Sequence, residues 1–227
     1  MHHSVSRLHI RHWRGDDDLV TPAPAHGIDL SVMARDHFRG PQMRLLLVAV
    51  GVAVLAGYAF GGRLQELDRM KLRWWALALI GLLLQIPPPG SLLHSTQLQL
   101  ALLWASFGCL IAFAARNLSR RGFALILLGL ACNFIVIAAN RGMPVNASAV
   151  RASGQAPLLR DLAHGRAAKH HLERRGDTLL LLADEIPIGW PINQVVSGGD
   201  VLVYAGMVWV VADAMQKRPR EPARAPR

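Results

Sequence analysis

Residues 184–215 read DEIPIGWPINQVVSGGDVLVYAGMVWVVADAM. An acidic, proline-rich lead-in runs straight into an apolar helix of the kind found in membranes. The uninterrupted apolar part, Val201–Ala212, reaches only about 18 Å at 1.5 Å per residue, whereas a bilayer core is about 30 Å thick. To span, the helix must take in the turn before it, which sets the span at about 196–215. Asp200 then sits at or just beneath the outer interface, where a carboxylate is costly and often functional.

Composition supports the same class. The chain has 227 residues, 52% of them hydrophobic and 18% charged, with a mean hydropathy of +0.27. Soluble domains are nearer about a quarter charged. Apolar residues are blocked into long runs rather than spread at helical or strand period. The net charge of +10 does not point to nucleic acid, because the basic residues lie in short turns and a tail rather than on one face. Cys109 and Cys132 both fall inside apolar runs, which excludes a disulfide framework and suits small packing residues.

Outward from this segment, four further spans are expected, at about 43–62, 74–93, 98–115 and 122–139. Residues 1–42 carry five Arg against five Asp and have no apolar period; they read as a disordered tail or an over-extended start. Ala53, Gly57 and Gly61 make a small-residue face that would admit a partner membrane helix. Trp74-Trp75 suit an aromatic belt, and Pro87-Pro88-Pro89-Gly90 stops or kinks the second span. Asn133, at mid-depth in the fourth span, needs a partner, with Gln85 or Ser106 within reach of a bundle. Residues 140–195 form the extracytoplasmic segment. In it, 157–175 reads as a basic amphipathic helix or helix pair lying on the bilayer, and 178–183 as a short strand or re-entrant piece. Residues 216–227 read as a basic, disordered tail. The expected fold is therefore all-α: a polytopic integral membrane protein of about five transmembrane helices.

Parity fixes an orientation. The turns 63–73 and 116–121 and the C-terminal tail fall on one side, and all three concentrate positive charge, so that side is cytoplasmic and the N-terminus lies outside. The lipid bilayer is the expected partner, and the plasma (inner) membrane of a bacterium the expected location.

Candidate chemistry is sparse. Asp200 admits two readings: an interfacial general acid or base, or the acidic member of a capping box begun by Ser197. His164, His170 and His171 tempt a metal reading. On one helix, however, His164 and His171 lie roughly 10 Å apart, too far to share an ion, while His170 would pair with Glu173 or Arg174. No metal and no cofactor are expected, and no nucleotide loop, nucleophile elbow or zinc motif is present.

The run Met43–Ala214 resembles a bacterial membrane family of unknown function, domain-of-unknown-function family 5317. The resemblance rests on Gly61-Gly62-Arg63-Leu64, Asn140-Arg141-Gly142-Met143-Pro144-Val145, His170-His171, Leu182-Ala183-Asp184-Glu185-Ile186-Pro187 and Ser197-Gly198-Gly199-Asp200. It brings no activity with it. Trp190-Pro191-Ile192-Asn193 followed by Asp200 is also similar to the last helix of lipoprotein signal peptidases, which implies an aspartyl hydrolase. Such an enzyme needs two carboxylates, and the second would come from Asp184, Glu185 or Asp177. The more economical expectation is binding, scaffolding or sensing at the outer face without chemistry.

A chain beginning at Met43 is expected to insert and accumulate like the full one. Loss of protein from the membrane fraction on that truncation, read by immunoblot, would show that residues 1–42 fold or dock.

Overall fold

A computed structural model describes residues 41–85, 96–164 and 169–216. The expectations for residues 1–40, for the proline turn at 87–90 and for the tail from 217 onward lie outside them, as does the stretch 165–168.

The described chain is mostly helical. The long helices are α1 (Pro41–Ala59), α2 (Trp75–Leu83), α3 (Thr96–Arg116), α4 (Phe123–Asn140) and α7 (Gly198–Met215). Three segments are long and apolar enough to cross a membrane: Gln97–Arg116, Phe123–Asn140 and Gly198–Met215. The other two of the five expected spans do not reach that length among the described residues. The apolar part of α1 is Arg44–Ala59, and α2 is described over nine residues before the undescribed stretch.

Packing order departs from chain order. α1 packs on α7, α7 on α4, α4 on α3 and α3 on α2, so the last helix lies between the first and the fourth. The small-residue face expected to receive a partner protein holds this chain's own last helix. Ala53 is buried and Gly57 lies against Met215, while Gly61 stands beyond the helix with nothing near it. Between α3 and α4 the contact is aromatic, with Phe107 beside Phe134 and Phe113 edge-on to Phe123 at 5.5 Å between ring centres.

The closest approach is between α4 and α7. Gly122 and Gly129 on α4's side are seven residues apart, as are Gly199 and Gly206 on α7, and the two pairs face each other. A Cβ on Gly206 would sit 2.6 Å from Ile126 and 2.7 Å from the Gly122 carbonyl. One on Gly129 would run into the Gly199 carbonyl and Val203. Seven residues is nearly two helical turns, so each glycine pair stays on one face and lets the backbones touch.

The connection from α4 to α7 corrects the all-α expectation, since it builds a four-stranded sheet. The strands are β1 (Met143–Val145), β2 (His170–Leu172), β3 (Asp184–Ile188) and β4 (Gln194–Ser197), in the order β2-β1-β3-β4. β1 runs parallel to β2 and β3, and β3 antiparallel to β4. The parallel return from β1 to β2 needs a crossover, and α5 (Ala147–Ala152) and α6 (Leu158–Ala163) lie along it. Val145, Ala149, Val150, Leu162 and Val195 form the small core beneath.

Two local readings change accordingly. Of the amphipathic helix or helix pair expected over 157–175, the described residues contain the six of α6. Past it, burial alternates at period two, with the His171 ring buried between half-buried His170 and Leu172, and that is a strand pattern. Within 178–183, expected as a short strand or re-entrant piece, residues 180–182 form a 3₁₀ turn preceded by Leu179 at a left-handed φ of 58°.

The seam between α4 and α7 gives a direct test. Gly129→Ala and Gly206→Ala should each cost about 1–3 kcal/mol through overpacking. Gly51→Ala and Gly108→Ala, where nothing lies within 4 Å of the added carbon, should be neutral or raise stability by about 0.5–1 kcal/mol through helix propensity. Thermal unfolding of the four variants in detergent separates the two groups.

Candidate functional site

Asp200, Ser197 and Asn133 close a ring of hydrogen bonds where α4 meets the start of α7. The Ser197 hydroxyl oxygen accepts from the Asp200 backbone N–H at 3.0 Å, and Asp200 Oδ2 accepts from the Ser197 N–H at 3.1 Å. This is a complete capping box. Across the seam, Asn133 Nδ2 donates to Asp200 Oδ1 at 2.7 Å, and the Ser197 hydroxyl donates to Asn133 Oδ1 at 2.9 Å. Asn133 thus finds its partners on α7. Gln85 and Ser106, the partners expected for it, bond to each other instead at 3.0 Å, with Ser106 also donating to the Gly81 carbonyl. Gly199 makes the ring possible, because a side chain there would occupy the space of the Asn133 amide.

Around this ring the sheet collects further polar side chains. Asp184 opens β3 directly opposite Ser197 and is buried. Burial raises its carboxyl well above the usual range, and the Asp200 charge raises it further. His170 Nε2 stands 3.6 Å from Asp184 Oδ2, beyond hydrogen-bond reach. Burial lowers His170 to about 4, with the Lys169 charge adding to the effect and Asp200 opposing it. Attraction between a charged His170 and a charged Asp184 would shift both the other way, so burial wins here and the pair is not an ion pair at neutral pH. Lys169 is lowered to about 8 by burial, and its ammonium donates to the Gln85 carbonyl at the end of α2.

His171 does not pair with its neighbour. Its Nε2 lies 3.1 Å from Asp177 Oδ2, both side chains being buried, and the Arg174 N–H donates to the same carboxylate oxygen. The two histidines therefore serve opposite faces of β2. His164 is apart from both, with its ring nitrogen on the Arg160 carbonyl. Among the described residues no three His, Cys, Asp or Glu are placed to hold a metal ion.

Asn140 works as a clamp. Its Oδ1 accepts from the Thr178 N–H at 2.8 Å, and its Nδ2 donates to the Thr178 and Val136 carbonyls, each at 2.9 Å. The next residues explain the rest of that motif. Arg141 takes a left-handed φ of 56° to end α4, and Gly142 lets the chain pass against the His171 ring. Sequence reasoning missed the Asp177 pairing and the glycine seam. The spacing of Gly122, Gly129, Gly199 and Gly206 carried the seam's signal.

Residues 69–212 match a family described as a family of unknown function (DUF5317), and the chain belongs to it. The match takes in α2 through most of α7 and leaves out α1. No curated protein and no solved structure matches the chain.

Two outcomes follow. Asp200→Asn keeps only one acceptor, which serves either the Ser197 N–H or the Asn133 amide, so it should cost stability but less than Asp200→Ala, which loses both bonds to a charged group at about 1–3 kcal/mol. Unfolding midpoints of the two variants decide this. His170 has a folded value below its usual 6.5, so it stays neutral in the fold and the fold loses stability as pH falls from about 6.5 towards about 4. Asp184, raised in the fold, acts in the opposite sense, because the fold binds its proton more tightly than the unfolded chain. The His170 side chain keeps 35% exposure, and solvent screening limits the size of its loss. Comparing the wild type with His170→Asn from pH 7.5 to 4.5 isolates the histidine: the variant should lack that part of the acid sensitivity.

Proposed function

We propose that this member of DUF5317 is a multi-pass plasma-membrane protein that works by binding at the outer membrane face, without chemistry of its own. The observation that carries this reading is the saturation of Asp200. Both of its carboxylate oxygens are engaged, by Asn133 and by the Ser197 N–H, so the acid is committed to fastening the sheet onto the helices. The partner-facing surface is the sheet end, where Leu181 and Trp190 are 91% and 88% exposed.

The bilayer reading is supported by how the two ends differ. At one end lie the turn 63–73, the turn 116–121 and the close of α7, joined by Arg63 N–H to the Met215 carbonyl, Arg120 to the Lys71 carbonyl and Asn117 to both the N–H and carbonyl of Arg73. These two turns carry seven basic and two acidic residues. The segment 140–200 at the sheet end carries seven basic and six acidic, and excess positive charge marks the cytoplasmic side. Exposed Tyr58, Phe60, Trp74 and Trp75 flank the basic turn 63–73 in sequence, where an aromatic belt would lie. Arg116 lies over Trp74 at 5.5 Å.

One observation favours a second reading, the aspartyl hydrolase. Burial and the charge of Asp200 both raise the Asp184 carboxyl well above its usual range, and a raised acid close to a second carboxylate is one element of an aspartyl site. Against it, among the described residues no carboxylate bonds to Asp200.

Three substitutions separate the readings in any strain with a deletion phenotype. Binding predicts that Trp190→Ala and Leu181→Ala abolish rescue at normal protein level while Asp184→Asn preserves it; hydrolysis predicts the reverse. Topology is checked separately by replacing Cys109 and Cys132 and introducing single cysteines. An impermeant thiol reagent should label Leu181→Cys in intact cells and leave Leu118→Cys unlabelled; the opposite pattern would invert the orientation.

A further inference from the structure

We propose that the basic end carries a binding site for a phosphodiester anion, the chemistry shared by phospholipid headgroups and related phosphate esters. A hollow of about 210 Å³ opens there, lined by Glu66, Arg69, Met70, Arg120, Ala214 and Gln216. That is room for several waters at about 30 Å³ each, or for one phosphate group in their place.

The two arginines come from different turns and are each held by one bond that leaves the rest of the guanidinium fork available. Arg69 Nη1 is pinned by Glu66 Oε2 at 2.7 Å. Arg120 Nη2 donates to the Lys71 carbonyl at 2.7 Å. A planar fork fixed in this way is suited to bidentate contact with phosphate oxygens. With Glu66 counted, the lining bears one net positive charge, which matches the single negative charge of a phosphodiester.

Other surroundings favour a lipid. Met70 and Ala214 give the hollow an apolar side, and the aromatic belt of Trp74 and Trp75 lies on the same end. A second hollow at the same turn is lined by Tyr58, Arg63, Leu64 and Gln65, so arginine and exposed apolar side chains recur together there. Basic pockets between helix ends at the cytoplasmic interface are where lipid headgroup phosphates are met. Two neighbouring arginines that do not line the hollow have contacts of their own: Arg121 lies 3.6 Å from Asp213, and Arg116 is over Trp74.

The proposal rests on the bilayer reading for its lipid source, and the two fail separately. Release of the chain from membranes by an alkaline carbonate wash would sink the bilayer reading whatever the titration gives.

The test is a binding titration of the full chain, purified in a neutral detergent, with a fluorescent phosphatidylglycerol. Unlabelled phosphatidylglycerol, diacylglycerol and inorganic phosphate serve as competitors. R69Q/R120Q should weaken binding at least about tenfold, while R116Q/R121Q, which removes the same charge from the same end, should change it less than twofold. Diacylglycerol, lacking the phosphate, should not compete. Competition by inorganic phosphate would make the free ion a ligand too; competition by the phospholipid alone would assign the site to a headgroup. If R69Q/R120Q does not fold, Arg69→Gln alone, with a 76% exposed side chain, should still weaken binding. Equal loss in both double variants, an unaffected R69Q/R120Q or R69Q, or no binding by the wild type would overturn the proposal.

Discussion

The contact between α4 and α7 governs the rest of the molecule. Two glycine pairs let these backbones touch, and that closeness brings Asn133 within reach of Ser197 and Asp200. A hydrogen bond between side chains in an apolar setting is worth having only if both partners are fully satisfied. The ring meets that condition, because Asn133 both donates and accepts and each Asp200 oxygen has a donor. The cap, the seam and the base of the sheet are therefore one construction. α7 is also the helix on which α1 packs, so among the described helices the first depends on the last one being placed.

From this junction the two ends acquire different chemistry. At the sheet end, polar groups are gathered and desolvated: Asp184 is driven toward its neutral form, His170 toward its neutral form, and Lys169 onto a helix carbonyl. At the other end, charge is left exposed and unbalanced, with arginines fixed by short bonds to backbone carbonyls or to one glutamate. Burial decides protonation at the first end, whereas solvent and ions reach the second.

Much of the helical part was legible. Three of the long apolar runs and the Ser197-to-Asp200 spacing each follow from local chemistry, and the structure contains those helices and the cap accordingly. The sheet was not legible because its strands are three to five residues long, too short for alternation to stand out. Their pairing is set by contacts between residues 143, 170, 184 and 197, and no local pattern encodes those. His170 and His171 were read on a helix because the preceding Leu158–Ala163 period is helical. That period simply stops at α6. The partners of Asn133 were not legible, because Ser197 and Asp200 lie more than sixty residues on and reach it only through the packing of α7 on α4.

The central claim is that Asn133 and Asp200 act as one unit holding the two helices together. A double-mutant cycle of Asn133→Ala and Asp200→Ala, measured by unfolding of the protein in detergent, tests it most directly. The account predicts that the second substitution costs much less once the first is made, with a coupling of about 1–3 kcal/mol. Additive losses, with coupling within about 0.3–0.5 kcal/mol of zero, would contradict it and leave Asp200 free for another role.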